Sequence, residues 1–79
     1  MTCPLFQAPL KCPLLLHSVA ADLPGDIRRR LAELGLLSGT ELSLDQRAIG
    51  GACLVCVGTA RYVIDRKTAA GLTVAAVRP

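Results

Sequence analysis

The sequence predicts a small, mainly β domain with one α-helix. Three features lead to this prediction: a helix-spaced apolar stripe in residues 27–34, short apolar or alternating segments around it, and glycine-containing turns between those segments. A chain of 79 residues forms one domain and buries only about 60% of its unfolded surface. With one Phe, one Tyr and no Trp, the core must be aliphatic.

Residues 1–13 are predicted to be an irregular N-terminal arm, and the folded domain is expected over residues 14–79. Prolines exclude regular helix and interrupt strand pairing. The arm contains three of them: Pro4, Pro9 and Pro13. Residues 14–19, a short apolar run, are predicted to form the first strand of the domain.

The helix is predicted from one apolar face. Ile27, Leu31 and Leu34 recur at positions i, i+4 and i+7, which line up on one side of an α-helix. Either Asp22 or Asp26 is positioned to cap its start, because a carboxylate accepts hydrogen bonds from the N–H groups of the first turn. We therefore expect Leu31 and Leu34 to be buried.

A glycine stop follows the helix. Gly35 stands where the chain must enter the left-handed conformation, which a residue without Cβ adopts at no steric cost. Leu36 is then placed to fold back on the helix. Because Leu36 and Leu37 cannot both turn inward beside this stop, one leucine is expected at the surface.

The rest of the sequence predicts short strands separated by turns. Residues 40–47 alternate with period two, residues 52–57 follow the Gly50-Gly51 turn, and residues 60–64 return after Gly58-Thr59. A single helical turn and a closing strand come last. Five short strands bury one continuous face only by curling into a barrel, so the elements predict a small SH3-like β-barrel.

Two cysteines have a spacing found in metal and redox sites. Cys53 and Cys56 form a CxxC pair, but the residues between them are β-forming. Side chains three positions apart on a strand point to opposite faces, so the two sulfurs are expected to be separated. We interpret both as structural thiols.

The arm offers a second, incomplete set of metal ligands. Cys3, Cys12 and His17 supply soft and borderline donors, but their spacing matches no compact zinc motif and no fourth ligand is evident. We therefore expect no metal site, and these three residues remain the only candidates for one.

Composition and charge exclude several classes of function. One histidine and scattered acids form no catalytic constellation, so we expect neither an enzyme nor a cofactor. A net charge of +3 and two aromatic residues disfavour nucleic-acid binding. No apolar stretch approaches the roughly 20 residues of a spanning helix, and the N-terminus is a poor signal peptide. A cytoplasmic protein is expected.

Residues 30–40 (RLAELGLLSGT) resemble the RLxxLGLxPGT signature of the FeoA family, ferrous iron transport protein A. The similarity continues through residues 47–51, residues 61–64 and the C-terminal segment, so that it covers residue 14 onward. Ser38 stands where the family usually has proline, which loosens the turn. The two cysteines of the CxxC pair are not family hallmarks.

The resemblance implies an SH3-like fold and a non-enzymatic accessory role in bacterial ferrous iron uptake. The expected partner is the FeoB permease, with docking on its cytoplasmic GTPase region that modulates transport. The membrane would be reached only through this partner, and weak homo-oligomerisation is compatible with the role. Two alternatives stay open: a regulatory interaction module related to the barrel domain of iron-dependent repressors, and a transition-metal-binding module that uses the N-terminal cysteines.

The docking surface is expected on the exposed part of the helix-to-strand unit. Arg29, Arg30 and Glu33 occupy polar helix positions, and Leu37 is the leucine expected outside. An apolar anchor with a polar rim is typical of protein interfaces. The Gly50-Gly51 hairpin is the alternative surface. In the simplest reading, both leucines complete the core and the arginines only keep the domain soluble.

Overall fold

One antiparallel sheet of six strands organises the protein, whose computed structural model describes residues 2–77. Met1 of the predicted arm, and Arg78 and Pro79 of the predicted domain, lie outside these residues. The strands are β1 (Thr2–Pro4), β2 (Leu14–Val19), β3 (Glu41–Arg47), β4 (Cys53–Val57), β5 (Ala60–Ile64) and β6 (Leu72–Ala76). Helix α1 is Gly25–Glu33, the single-turn helix α2 is Arg66–Ala70, and a 3-10 turn spans Leu5–Gln7.

The strand order is β1-β6-β2-β3-β4-β5, which leaves β1 and β5 at the two edges. Among residues 2–77 no ladder joins these edges, so the sheet is open and the predicted closed barrel is not confirmed. The mainly β fold with one principal helix is confirmed. The two halves of the sheet meet where β2 and β3 share only the pairs Leu14↔Leu42 and Leu15↔Glu41. Strands β2 and β3 each contain a register shift, the kind of irregularity that bends a strand and increases its local twist.

The N-terminal segment differs from the irregular arm that its prolines predict. Strand β1 pairs with β6, and Leu5 and Ala8 are buried in the core. Leu10 then forms an isolated bridge to Leu44 of β3. Pro4 is compatible with pairing because it ends a short edge strand, where proline is tolerated. The segment is therefore part of the fold.

Helix α1 places its apolar face inward as the spacing predicts. Leu31 is buried as predicted, whereas Leu34, which was also expected to be buried, is only half-buried against the core, as is Ile27. The predicted caps are wrong: the helix begins at Gly25, Pro24 is its N-cap residue, and no side chain caps it. The capping position is thus occupied by Pro24, which has no side-chain acceptor, and by neither of the two predicted aspartates.

The helix ends in a Schellman motif centred on Gly35, whose φ is +88°. The N–H of Leu36 donates to the carbonyl of Leu31 (2.9 Å), and the N–H of Gly35 donates to that of Ala32 (3.0 Å). The hydroxyl of Thr40 donates to the carbonyl of Gly35 at 2.9 Å. The chain therefore reverses direction after the helix and leads into β3, and the side chain of Leu36 is buried in the core.

The core is aliphatic, as the composition predicts. Both halves of the sheet, the N-terminal segment and both helices contribute residues to it. Its buried apolar residues are Leu5, Ala8, Leu14, Leu16, Leu31, Leu36, Leu42, Leu44, Cys53, Val55, Ile64, Ala69, Leu72 and Val74.

Candidate functional site

The four residues predicted to bind a partner are all exposed, but they do not form one patch. Successive helical positions are separated by about 100°, so the direction of each follows from the buried face of α1. Arg29 and Glu33 point away from the core into solvent. Arg30 lies on one flank of the helix and Leu37 on the other. The predicted surface is therefore divided.

Leu37 is held at the surface by the glycine stop. Its side chain is 54% exposed, whereas that of Leu36 is 1% exposed, so one leucine remains outside as the sequence predicts. The N–H of Leu37 donates to the hydroxyl of Thr40 (3.2 Å), and the N–H of Thr40 donates to the carbonyl of Leu37 (3.0 Å). The apolar side chain is thus presented on a fixed backbone.

A shallow groove of about 560 Å³ adjoins Leu37. Its walls come from α1 and from the end of β2, and Arg28, which was not among the predicted docking residues, is its basic residue. The lining residues are Ser18, Val19, Arg28, Ala32, Leu36, Leu37 and Ser38. Leu37 with Arg28 forms an apolar anchor beside a positive charge, which we call the Leu37 surface.

A second, more apolar groove of about 380 Å³ lies between α1 and the edge strand β5. Ile27 and Leu34 line its helix side, with Arg30 at the rim. Val63 lines its strand side and is 76% exposed. The sequence did not predict this groove, although the alternation of β5 places Val63 on the face of the strand opposite to that of the buried Ile64.

The hairpin between β3 and β4 presents a second missed apolar residue. Ile49 is completely exposed at its tip. The N–H of Ala48 donates to the carbonyl of Ala52 at 2.8 Å, which closes a five-residue connection between Arg47 and Cys53. Gly51 adopts a φ of +93° with its Cα against the side chain of Arg66, where a Cβ would lie within 2.8 Å of Cδ. Gly51 therefore packs closely against the side chain of the first residue of α2.

Cys53 and Cys56 lie on opposite faces of β4, as the strand pattern predicts. Cys53 is in the core and its thiol lies 3.6 Å from the carbonyl oxygen of Gly51. Burial raises the pKa of the Cys53 thiol, and the positive charge of Arg47 partly opposes this. Cys56 is half-buried on the outer face. The CxxC pair does not converge on one ligand.

The candidate metal ligands of the N-terminal region are also separated. Cys3 lies on β1 opposite Val74, while His17 is exposed at the irregularity of β2. Cys12 lines a different pocket, next to Cys56. Within residues 2–77, no three His, Cys, Asp or Glu side chains are close enough together to hold a metal ion.

The pocket beside Cys12 is an open depression of about 560 Å³ on the outer face of β3. Besides Cys12 and Cys56, its lining residues include the acidic Glu41 and Asp45 and the basic Lys11. Cys12 and Cys56 are both free, half-buried thiols that line this depression.

No helix in the described part of the chain is both long and apolar enough to cross a membrane.

Comparison with models of protein families matches residues 3–76 to the FeoA domain. The match begins in β1 and ends with β6, so it includes the N-terminal segment as well as the helix-to-strand unit. Comparison with curated proteins gives no match.

Solved structures share the whole fold. The FeoA protein of Stenotrophomonas maltophilia, solved in complex with zinc, is 33% identical, with a TM-score of 0.75 over 95% of this chain and 89% of that one. That protein is described as a prokaryotic SH3 domain protein and a candidate activating factor for bacterial ferrous iron transport. FeoA of Chlorobium tepidum is 28% identical, with a TM-score of 0.84 over 96% of this chain and 71% of that one.

A manganese-dependent transcriptional repressor contains a similar domain. The TM-score is 0.85 at 16% identity, and the alignment covers 96% of this chain but 42% of the repressor. At this identity the likeness is one of fold alone.

Proposed function

Because this chain belongs to the FeoA domain family, we propose that it is a cytoplasmic accessory protein of bacterial ferrous iron uptake. In this proposal it docks on the cytoplasmic GTPase region of a FeoB-type permease and modulates transport. The family match over residues 3–76 supports the transport system. The observation that carries docking is the exposed Leu37, which lines the same groove as Arg28.

Leu37 has the properties of an interface anchor. Its backbone is held by hydrogen bonds to Thr40, so little conformational freedom is lost when a partner covers the side chain. Arg28 provides a charged rim on the same groove, and the neighbouring solvent face carries Arg29 and Glu33. An apolar centre within a polar rim is the usual arrangement of a protein interface, and arginine is among the residues that contribute most to binding energy.

Arg30 belongs to a different part of the surface. It rims the α1–β5 groove, so it contributes to the same interface only if the partner wraps around α1. Comparing Arg28 with Arg30 therefore tests the position of the interface, because the two arginines are on the same helix, carry the same charge and face opposite flanks.

The experiment measures the affinity of the purified permease cytoplasmic domain for the wild type and four variants. Leu37→Ser and Arg28→Glu should each weaken binding about tenfold or more, as loss of an interface anchor or rim charge does. Arg30→Glu should have a smaller effect, and Val63→Ser, at an exposed position away from Leu37, is the matched apolar control. All variants must retain the wild-type melting transition.

Two results would contradict this surface. If Leu37→Ser and Arg28→Glu bind like the wild type while Arg30→Glu and Val63→Ser do not, the permease binds the α1–β5 groove. If the wild type does not bind the cytoplasmic domain at all, docking on this region is wrong.

The likeness to the repressor domain favours no second function by itself, since it concerns the fold. The metal-binding alternative has no geometric support in the described residues, because Cys3, Cys12 and His17 lie apart.

A further inference from the structure

The two edges of the sheet differ in how they resist pairing with another strand. Strand β1 is three residues long and ends in Pro4, which lacks an N–H donor. Strand β5 has five residues, contains no proline and pairs with β4 in an unbroken register from Ala60 to Ile64. Short length and proline are two common protections of edge strands. The β5 edge has neither.

The exposed side chains of β5 would be complementary to those of a second β5 strand that runs antiparallel to it. Arg61, Val63 and Asp65 follow one another on the outer face, and all three are exposed. Asp65 continues the extended backbone, with φ −68° and ψ 163°, before α2 begins. In an antiparallel pair centred on Val63, Arg61 of one chain would lie opposite Asp65 of the other, and the two valines would face each other.

The residues on the inner face of β5 are also compatible with this antiparallel register. Tyr62 would lie opposite Ile64 of the second copy, and both residues belong to the apolar side of β5. Aromatic side chains and β-branched aliphatic ones are favourable cross-strand neighbours, as are opposite charges. Shifting the centre by one residue would place Arg61 opposite Val63, so both ion pairs would be lost.

We propose that two copies of this chain associate through antiparallel pairing of their β5 strands about a two-fold axis at Val63. The strand edge supplies main-chain hydrogen bonds, and the reciprocal Arg61–Asp65 pairs set the register. The groove between α1 and β5, lined by Ile27 and Leu34, gives the second copy an apolar flank. Such an interface is isologous, as most homodimer interfaces are.

Charge reversal gives a direct test by sedimentation velocity. The wild type should associate reversibly below about 1 mM chain, a range suited to a small interface. Arg61→Asp places two carboxylates opposite each other, and Asp65→Arg places two arginines opposite each other, so each variant alone should be monomeric. Mixed in equal amounts, they regain both opposite-charge pairs and should form a heterodimer at least about tenfold tighter than either variant with itself.

Arg29→Asp is the matched control, because it reverses an exposed arginine on the solvent face of α1 and should associate like the wild type. Circular dichroism should show the same fold for every variant, since all these positions are exposed. A wild type that stays monomeric at about 1 mM, or single variants that associate as strongly as the wild type, would overturn the proposal. A mixture no tighter than its components would overturn the register.

Cross-linking tests the register independently of charge. With Cys3, Cys12 and Cys56 replaced by serine, Val63→Cys should oxidise to a disulfide-linked dimer, because directly opposite residues in antiparallel strands are about 4.5–5.5 Å apart at Cα. Thr59→Cys, exposed in the β4–β5 turn, should cross-link much more slowly. Equal rates would contradict pairing centred on Val63. If the β5 variants instead lose the permease and leave self-association unchanged, the edge serves that partner and the proposal is wrong.

Discussion

The guanidinium group of Arg47 donates a 2.7 Å hydrogen bond to the main-chain carbonyl of Ala8, which precedes it by 39 residues. A second hydrogen bond, of 3.3 Å, joins the same Nη1 atom to the carbonyl of Phe6. The end of β3 thereby holds the 3-10 turn and the residue that follows it, a region in which Leu5 and Ala8 are buried in the core. The carbonyl groups of Phe6 and Ala8 therefore depend on a donor that lies about half a chain length away in sequence.

Replacing Arg47 with methionine should lower the free energy of unfolding by about 1–2 kcal/mol, because two main-chain carbonyls lose a charged donor. Urea denaturation measures the change. Arg47→Lys keeps the charge but not the extended guanidinium, so it should cause a smaller loss. Arg29→Met is the control, since an exposed arginine without such contacts should change stability by less than about 0.5 kcal/mol. Equal losses for Arg47→Met and this control would mean that burial alone holds the N-terminal segment.

Leu31 and Leu34 share the apolar face of α1 but differ in burial. Leu31 is 4% exposed, whereas Leu34 is half-buried at the rim of the α1–β5 groove. Leu31→Ala should therefore cost about 2–5 kcal/mol of stability, and Leu34→Ala roughly half as much. Urea denaturation compares them, and Leu31→Met, which nearly conserves volume, should cost less than about 1.5 kcal/mol. A larger loss at Leu34 would mean that the helix is rotated relative to the core.

Local signals account for the part of the fold that the sequence predicts correctly. The helix-spaced leucines, Gly35 and the alternation of β3 each act within a few residues, so their patterns can be recognised without knowledge of the rest of the chain. The N-terminal segment is different. Its prolines suggest irregular backbone, while its strand pairing and the burial of Leu5 depend on β6 and on Arg47, both distant in sequence.

The candidate site shows the same division. The exposure of Leu37 follows from the local geometry of the glycine stop and could be predicted. Which arginine lies beside it could not, because that depends on how α1 is rotated against β2. The groove beside Val63 could not be predicted either, because it depends on how α1 lies against β5, which the alternation within β5 does not determine.

Two glycines at the ends of α1 allow the cost of positive φ to be isolated. A Cβ at Gly35 or at Gly25 would meet no atom within 4 Å, but only Gly35 has a positive φ, of +88°. Gly35→Ala should therefore lower the free energy of unfolding by about 1–2 kcal/mol through backbone strain alone. Gly25→Ala, in the first turn, should be neutral or stabilise by up to about 1 kcal/mol. Thermal and urea denaturation would contradict this if the two substitutions had the same effect.

Stability at alkaline pH should depend on Cys53. Burial raises the pKa of its thiol above the ordinary value of 9.0, while the charge of Arg47 acts in the opposite direction. A thiol whose pKa is higher in the folded state binds its proton more tightly there, so its contribution is fully present below pH 9 and is lost as pH rises through the folded-state pKa. The wild type should accordingly lose stability relative to Cys53→Ala above pH 9.

The measurement is the difference in unfolding free energy between wild type and Cys53→Ala as a function of pH, which cancels the contributions that the two proteins share. Below pH 9 the difference should be constant and reflect the lost packing of the sulfur in the core. Above it the difference should shrink. Repeating the comparison in an Arg47→Met background should extend the decline to higher pH, because the charge that lowers the pKa of Cys53 is gone. A difference that stays constant throughout the alkaline range would show that the thiol titrates equally in the folded and unfolded chains.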